Sequence, residues 1–251
     1  MKCGIAIYAV DDLKLLGSFR NFSMVEVSGE MLDEDNFEEQ LPLEYTVCVR
    51  ELLGRSIVSG LPEVPFQVCR ELLKLMDKRC ELMNRCGITL ATLTPDIGHA
   101  AADKSYAAAL NDILLSIAGI CGKHDIELRF ELRLPENFEQ ALDLTGKFLR
   151  SSTLFRKLRL DFHPHEPGSF DFLTAVTEKF PFNRDSWRIS FEVASCNYLS
   201  PEVVKRVMKA SRPGGWDEDH VIFAPGVGTG AENYALLDKV AGECFSGGVD
   251  K

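Results

Sequence analysis

Eight short apolar runs, separated by longer stretches with helical spacing, are the feature that most constrains the fold of this chain. The runs lie near residues 3–9, 24–28, 45–51, 88–93, 126–132, 155–161, 187–193 and 220–224. This alternation is typical of parallel strands joined by crossover helices. Eight such units in 251 residues predict an α/β chain folded as a (β/α)₈ TIM barrel, with residues 1–251 forming a single domain. No glycine-rich dinucleotide motif follows the first run, which disfavours an open doubly wound sheet.

The stretches between the runs carry apolar residues every three or four positions, which marks the buried face of a helix. Two such faces are the clearest in the sequence: Leu72, Leu73, Met76, Cys80 and Met83, and Leu110, Ile113, Leu114, Ile117 and Cys121. Residues 54–65 contain glycines and two prolines, which predicts a long loop after the third strand. That loop would lie on the side of the barrel where active sites are built.

Charge and cysteine content narrow the class of protein. The chain has 38 acidic and 28 basic residues, a formal net charge of −10, which disfavours nucleic-acid binding. The first apolar run is too short to span a membrane. The eight cysteines form no CxxC pair and fall mostly in apolar patterns, as expected of reduced thiols in the cytoplasm. Whether several copies form a homo-oligomer is left open.

Alternate strand positions are polar, although alternate residues of barrel strands point into the lumen. The polar positions include the following charged residues: Glu26, Arg50, Arg129, Glu131, Arg159, Asp161 and Glu192. Burying so many charges is unfavourable unless they pair with one another or bind a ligand. Two interpretations stay open, namely an internal network of arginines and carboxylates, or a site near the barrel mouth.

Two segments, "CGKHDIELRFEL" and "FRKLRLDFHPH", resemble the fifth and sixth strands of the xylose isomerase-like barrel superfamily. The resemblance extends over strands four to seven, a little over half of the chain. It implies a sugar or hydroxy-keto acid isomerase or epimerase. It also implies a divalent metal in the barrel mouth, Mn²⁺ or Mg²⁺ first and Zn²⁺ as the alternative, which polarises the substrate oxygens.

The resemblance assigns roles to particular residues. Glu131 and Asp161 match the metal-binding acids of strands five and six. Glu192 stands where the family has a histidine ligand, and His163 or His165 supplies a further ligand. Glu131 and His163 are the implied catalytic residues.

The eighth strand departs from the family pattern. Ala224 stands near the position of the second proton-transfer glutamate, so the usual mechanism with two glutamates is incomplete. Glu26, Glu30 or Asp96 is left open as the second base. Arg50 and Asp96 are expected to bind substrate.

The segment from Pro225 to Glu232 is rich in glycine and precedes a predicted helix. Gly228 and Gly230 are therefore candidates for binding the phosphate of a sugar phosphate through backbone N–H groups. A tight turn into the helix explains the same glycines equally well. Two alternatives to the metal-dependent isomerase follow. One is a metal-free barrel enzyme for a phosphorylated substrate, and the other is a non-catalytic barrel that binds carbohydrate or a protein partner.

Overall fold

The computed structural model describes residues 2–42, 44–134, 138–151, 158–164, 166–180, 184–190, 201–203, 205, 220–225 and 230–245. Eight strands lie in these residues: β1 (Lys2–Ile7), β2 (Met24–Ser28), β3 (Thr46–Arg50), β4 (Leu90–Leu93), β5 (Glu127–Arg133), β6 (Leu158–Phe162), β7 (Arg184–Ser190) and β8 (His220–Ala224). Each begins within three residues of its predicted position. The sequence patterns therefore located each of the eight strands in the described residues.

All strand pairs are parallel and follow chain order, and β8 pairs with β1 through Lys2↔His220 to Ile5↔Phe223. The predicted α/β class, with parallel strands curled as in a TIM barrel, is confirmed. The full eightfold repeat of strand and helix remains a prediction, because only residues 201–203 and 205 are described between β7 and β8. The single domain over residues 1–251 also stays a prediction.

The described helices surround the strands. They are α1 (Phe37–Gln40), α2 (Arg55–Gly60), α3 (Phe66–Arg85), α4 (Ile97–Ala102), α5 (Lys104–Lys123), α6 (Phe138–Ser151), α7 (Ser169–Lys179) and α8 (Ala231–Phe245). Three 3₁₀ helices cover Val10–Ser18, Gly29–Asp33 and Leu61–Glu63. The two helix faces identified by spacing belong to α3 and α5. The side chain of Asp103 caps α5 by accepting hydrogen bonds from the backbone N–H groups of Ser105 and Tyr106.

The prediction of a long loop over residues 54–65 is wrong. This stretch forms α2 and the 3₁₀ helix Leu61–Glu63. Val58 and Leu61 are buried, so apolar contacts with the core hold the chain in helical turns. Pro62 does not oppose this, because proline is tolerated in the first turn of a helix.

The main core lies between the outward faces of the strands and the surrounding helices. On β5 the outward residues Leu128, Phe130 and Leu132 are buried in it. The helix α5 is long and apolar enough to cross a membrane by length and composition alone. However, Leu110 and Leu114 of α5 pack in this core, and core helices pass the same test. The expected cytoplasmic location stays a prediction.

The lumen of the barrel divides into an apolar and a polar part. The apolar part is a small separate cluster: Ala6, Met24, Cys48, Ile222 and Ala224. It has no spare space at Gly4, where an added Cβ would lie 2.5 Å from Cδ1 of Ile222. The polar part lies across β2 to β6, and it contains five of the charged residues that the strand alternation placed inside: Glu26, Arg50, Glu131, Arg159 and Asp161.

Candidate functional site

The centre of the polar lumen is a contact between one arginine and two carboxylates. Arg50, the last residue of β3, donates from Nε and Nη2 to Oε1 of Glu131 at 2.9 and 2.7 Å. The same Nη2 donates to Oδ2 of Asp161 at 3.1 Å. The side chains of Glu131 and Asp161 are 0% and 2% exposed, and that of Arg50 is 17% exposed. The guanidinium thus bridges two buried acids on β5 and β6.

Glu131 is held from several sides. Its Oε1 also accepts a hydrogen bond from Oγ1 of Thr94 at 3.1 Å. Its Oε2 lies 3.3 Å from Nε of Arg159, and Arg159 also forms an ion pair with Glu26 on β2. The pairing register explains the first of these contacts, because Glu131 lies beside Arg159 across β5 and β6. The buried charges therefore form a network that crosses the lumen.

Two further groups stand at the edge of this network. Oε1 of Glu51 lies 3.7 Å from Nη2 of Arg50. Nε2 of His163 lies 3.3 Å from Oδ1 of Asp161, and Nδ1 of His163 lies 3.9 Å from Oε1 of Glu166. The guanidinium of Arg50 consequently has three carboxylates within 4 Å. The buried imidazole of His163 contacts one of them, that of Asp161.

A cavity of about 270 Å³ opens beside Arg50, at the carboxyl ends of β1, β2 and β3. We call it the mouth cavity. Its lining consists of Ala6, Ile7, Tyr8, Glu26, Val27, Ser28, Gly29, Glu30, Arg50, Glu51 and Gly54. Gly29 allows the end of β2 to approach the end of β3, since an added Cβ would lie 2.6 Å from the carbonyl oxygen of Glu51. The cavity has room for a small ligand, and four charged residues are part of its lining.

A larger cavity, of about 480 Å³, lies beside the ends of β4 and β5, and Thr94, which contacts Glu131, lines it. Leu132, Ala141 and Phe172 line it, and these belong to the main core outside the strands. Asp96 also lines it and caps α4, because its Oδ1 accepts a hydrogen bond from the backbone N–H of His99 at 2.9 Å. Despite its size we do not regard this cavity as the site, because Glu26, Arg50 and Glu51, which line the mouth cavity, do not line this one.

The described residues do not fit a divalent metal at the predicted place. Among them, no three His, Cys, Asp or Glu side chains stand close enough together to hold an ion. The position between Glu131 and Asp161 holds the guanidinium of Arg50, whose N–H groups are donors and cannot ligate a metal. The expected ligand set of Glu131, Asp161 and His163 therefore stays a prediction, and the contacts of Arg50 with Glu131 and Asp161 count against it. The two other expected ligands, Glu192 and His165, lie outside the described residues.

The predicted site residues fall into three groups. Glu131, Asp161, His163 and Arg50 come together as predicted. Asp96 lines the other cavity and lies apart from the substrate position expected for it. Gly230 is exposed just before α8, and Gly228 lies outside the described residues.

Sequence reasoning missed Glu51. Strand alternation assigns Glu51 to the face opposite Arg50. Its backbone has a φ of 52°, in the left-handed region that few residues other than glycine adopt. This turn interrupts the alternation and brings the carboxylate beside Arg50. No sequence pattern predicts a positive φ at a glutamate.

The fold is shared with solved sugar epimerases and isomerase-like proteins. D-psicose 3-epimerase from Clostridium cellulolyticum H10, solved with D-tagatose, matches with a TM-score of 0.63 at 11% identity, over 98% of this chain and 97% of its own. A xylose isomerase domain protein from Alicyclobacillus acidocaldarius matches with a TM-score of 0.62 at 13% identity, over 97% and 98%. The resemblance drawn from the fifth and sixth strands is thus confirmed at the level of the fold.

The same likeness leaves the reaction open. An aldolase matches with a TM-score of 0.55 at 10% identity, over 94% of this chain and 96% of its own. No protein-family model matches the sequence, and no curated protein sequence matches it either. One fold hosts many reactions, so function must be argued from the site.

Proposed function

We propose that this protein is a sugar isomerase or epimerase that acts on a small, uncharged polyhydroxylated carbonyl compound in the mouth cavity. The observation that carries the proposal is the bridge from Arg50, which lines the mouth cavity, to the buried acids Glu131 and Asp161. It stands at the carboxyl ends of the strands, where barrels place their active sites. The likeness to D-psicose 3-epimerase and to xylose isomerase domain proteins supports the same class of reaction.

Moving a proton next to a carbonyl group requires two things from the protein. A donor must stabilise the negative charge that develops on the carbonyl oxygen, and a base must take the proton from carbon. Arg50 lines the cavity and presents N–H donors whose charge is permanent. The guanidinium is therefore the electrophile in our proposal.

The base is better sought among the acids that line the mouth cavity than at Glu131. Both oxygens of Glu131 already face donors, from Arg50, Thr94 and Arg159. Its expected role as a base therefore does not fit, and Glu131 becomes the residue that positions Arg50. Glu51 also lines the cavity and its side chain is 24% exposed. We assign the base to Glu51.

The charge of the cavity favours an uncharged sugar over a sugar phosphate. Glu26, Glu30 and Glu51 line the cavity together with Arg50, so a phosphate there would meet more acids than bases. A phosphate at Gly230 would meet the carboxylate of Glu232 in the first turn of α8. Both contacts are repulsive.

The test is exchange of substrate hydrogen with solvent deuterium, followed by proton NMR for a panel of ketoses and aldoses. We expect loss of the signal next to the carbonyl group with wild-type protein. We expect no loss with Glu51→Gln. A matched control is Glu34→Gln, an exposed residue that does not line the mouth cavity, and it should exchange like wild type. Absence of exchange for every sugar would contradict the catalytic proposal.

The closed network around Arg50 favours one second candidate, a barrel that binds a sugar without transforming it. In that case, Arg50 neutralises buried acids and the mouth cavity only recognises hydroxyl groups. Saturation-transfer NMR on the same panel separates the two candidates. Binding without exchange would support the second candidate, and exchange would reject it.

A further inference from the structure

We infer that the larger cavity, beside the ends of β4 and β5, is a second binding site, which takes a small uncharged ligand with an apolar body and a hydroxyl head group. The described linings of this cavity and of the mouth cavity have no residue in common. The larger cavity therefore binds its ligand separately from the mouth cavity. The inference assigns binding without chemistry, and it does not rest on the proposed function.

The inner end of the larger cavity is apolar and screened from water. Leu132 comes from β5, Ala141 and Leu142 come from α6, and Phe172 comes from α7. Each of these residues is at most 5% exposed. A space of about 480 Å³ bounded by such side chains is typical of sites that bind small molecules. An apolar body placed there would leave water and contact apolar atoms, which is favourable.

The outer end of the cavity is polar. His99 and Gln140 are exposed, and Asp96 and Arg133 are partly exposed. Oδ1 of Asp96 accepts a hydrogen bond from the backbone N–H of His99, and a carboxylate can accept several more. Nη2 of Arg133 lies 4.0 Å from Oε1 of Glu166, which is too far for a hydrogen bond. The lining thus supplies both an acceptor and a donor at the end that faces solvent.

The charges at this end select an uncharged head group. Asp96 would repel an anion, and Arg133 would repel a cation. Glu166, beside Arg133, disfavours an anion further. A hydroxyl group avoids these repulsions, because it can donate to a carboxylate and accept from a guanidinium.

The helix α4, which forms one wall of the cavity, is held by contacts on its other side. The rings of His99 on α4 and Tyr106 on α5 are stacked, with their centroids 4.0 Å apart and an angle of 11° between their planes. Oη of Tyr106 donates a hydrogen bond to the carbonyl oxygen of Ser59 on α2 at 2.6 Å. These contacts tie α4 to its neighbours, so the cavity is formed before a ligand binds.

The experiment is a titration with benzyl alcohol as the probe, followed by saturation-transfer NMR. Benzoate and benzylammonium are the matched probes, because they carry the same ring with a negative or a positive head group. We expect wild-type protein to bind benzyl alcohol at least about 10-fold more tightly than either charged probe.

Two variants fill the cavity from different walls, Ala101→Phe from α4 and Ala141→Leu from α6. Each should weaken binding of benzyl alcohol at least about 10-fold. Ala108→Phe is the matched control and should bind like wild type, because Ala108 is exposed on α5 and is not part of the described lining. Near-ultraviolet circular dichroism checks folding. Ala101 is only partly buried, so its variant keeps the test decisive if Ala141→Leu does not fold.

Three results would overturn the inference. The first is no saturable binding of benzyl alcohol to wild-type protein. The second is equal binding to wild type and to Ala101→Phe, because the probe would then bind elsewhere. The third is tightest binding of benzoate or benzylammonium, which would contradict an uncharged head group. No sugar is present in these titrations, so the inference and the proposed function fail by different observations.

Discussion

At the scale of single residues, the cost of burying charge determines which side chains of the lumen matter most for stability. Glu131 is fully buried and stands between Arg50 and Arg159, so its charge compensates two cations at once. A buried ion pair is weak evidence for net stability, but removal of one member leaves its partners under-compensated. Glu131 is therefore the residue of the network whose loss should be felt most.

We expect Glu131→Gln to lower the free energy of unfolding by about 3–5 kcal/mol. The amide keeps the shape of the side chain but removes the charge that faces two guanidinium groups. Glu51→Gln is the control, because Glu51 stands at the solvent edge of the same network, and its loss should cost less than about 1 kcal/mol. Urea unfolding followed by circular dichroism measures both. Equal effects would show that burial does not set the energetics of this network.

A second residue-scale prediction concerns Cys86 at the end of α3. Burial, together with the negative charge of Glu38 and its hydrogen bond, raises the pKa of this thiol from 9.0 to about 11. A thiol with the higher pKa has about 100-fold less thiolate at pH 8, and the thiolate is the form that is alkylated. We expect slow labelling of Cys86 by iodoacetamide, measured by peptide mass spectrometry.

Replacing the neighbouring acid provides the control for this prediction. Glu38→Gln removes the charge that raises the pKa of Cys86, while Arg85, which lowers it, remains. Labelling at pH 8 should therefore become faster in Glu38→Gln. An unchanged rate would mean that access of the reagent, and not the thiolate fraction, limits the reaction.

At the scale of elements, the mouth cavity depends on how closely two strand ends approach. Gly29 follows β2, and a Cβ there would lie 2.6 Å and 2.7 Å from the carbonyl oxygens of Glu51 and Leu52. We expect Gly29→Ala to destabilise the protein by about 1–3 kcal/mol, because backbone atoms must move apart. Gly17→Ala is the matched control, since nothing lies within 4 Å of its added Cβ. Thermal unfolding of both variants tests this, and equal midpoints would contradict it.

The same elements show what sequence alone can and cannot supply. The alternation on β5 and β6 predicted that Glu131, Arg159 and Asp161 point inward, because one face of each strand must meet the apolar core. It also listed an arginine network as one of two open interpretations. It did not identify Arg50 as the partner of both acids. Arg50 on β3 is distant in sequence from β5 and β6, and it comes close to them only in the folded barrel. The position of Glu51 beside Arg50 was not predicted for a local reason, because its left-handed backbone conformation interrupts the strand alternation.

At the scale of the whole molecule, exposed ion pairs connect pairs of helices around the outside of the barrel. They join α1 to α3, α3 to α5 and α6 to α7, through Glu38–Arg85, Asp77–Lys123 and Asp143–Lys179. Asp77 also forms a hydrogen bond with His124. Hydrogen bonds from Arg85, His124 and Lys179 hold the pKa values of Glu38, Asp77 and Asp143 below their ordinary range. Exposed pairs are individually weak, so their effect should appear collectively.

These lowered pKa values give stability a defined dependence on pH. In the unfolded chain these side chains have their ordinary pKa values, 4.5 for Glu and 3.8 for Asp. As the pH falls, the unfolded chain therefore takes up protons before the folded chain does. The contribution of the pairs is therefore complete above pH 4.5 and is lost as pH falls through the lowered folded values. We expect the urea midpoint to fall below pH 4.5, and to fall less steeply in Asp77→Asn than in Asp112→Asn, an exposed acid on α5. Identical slopes in the two variants would show that the pair between α3 and α5 does not contribute to acid sensitivity.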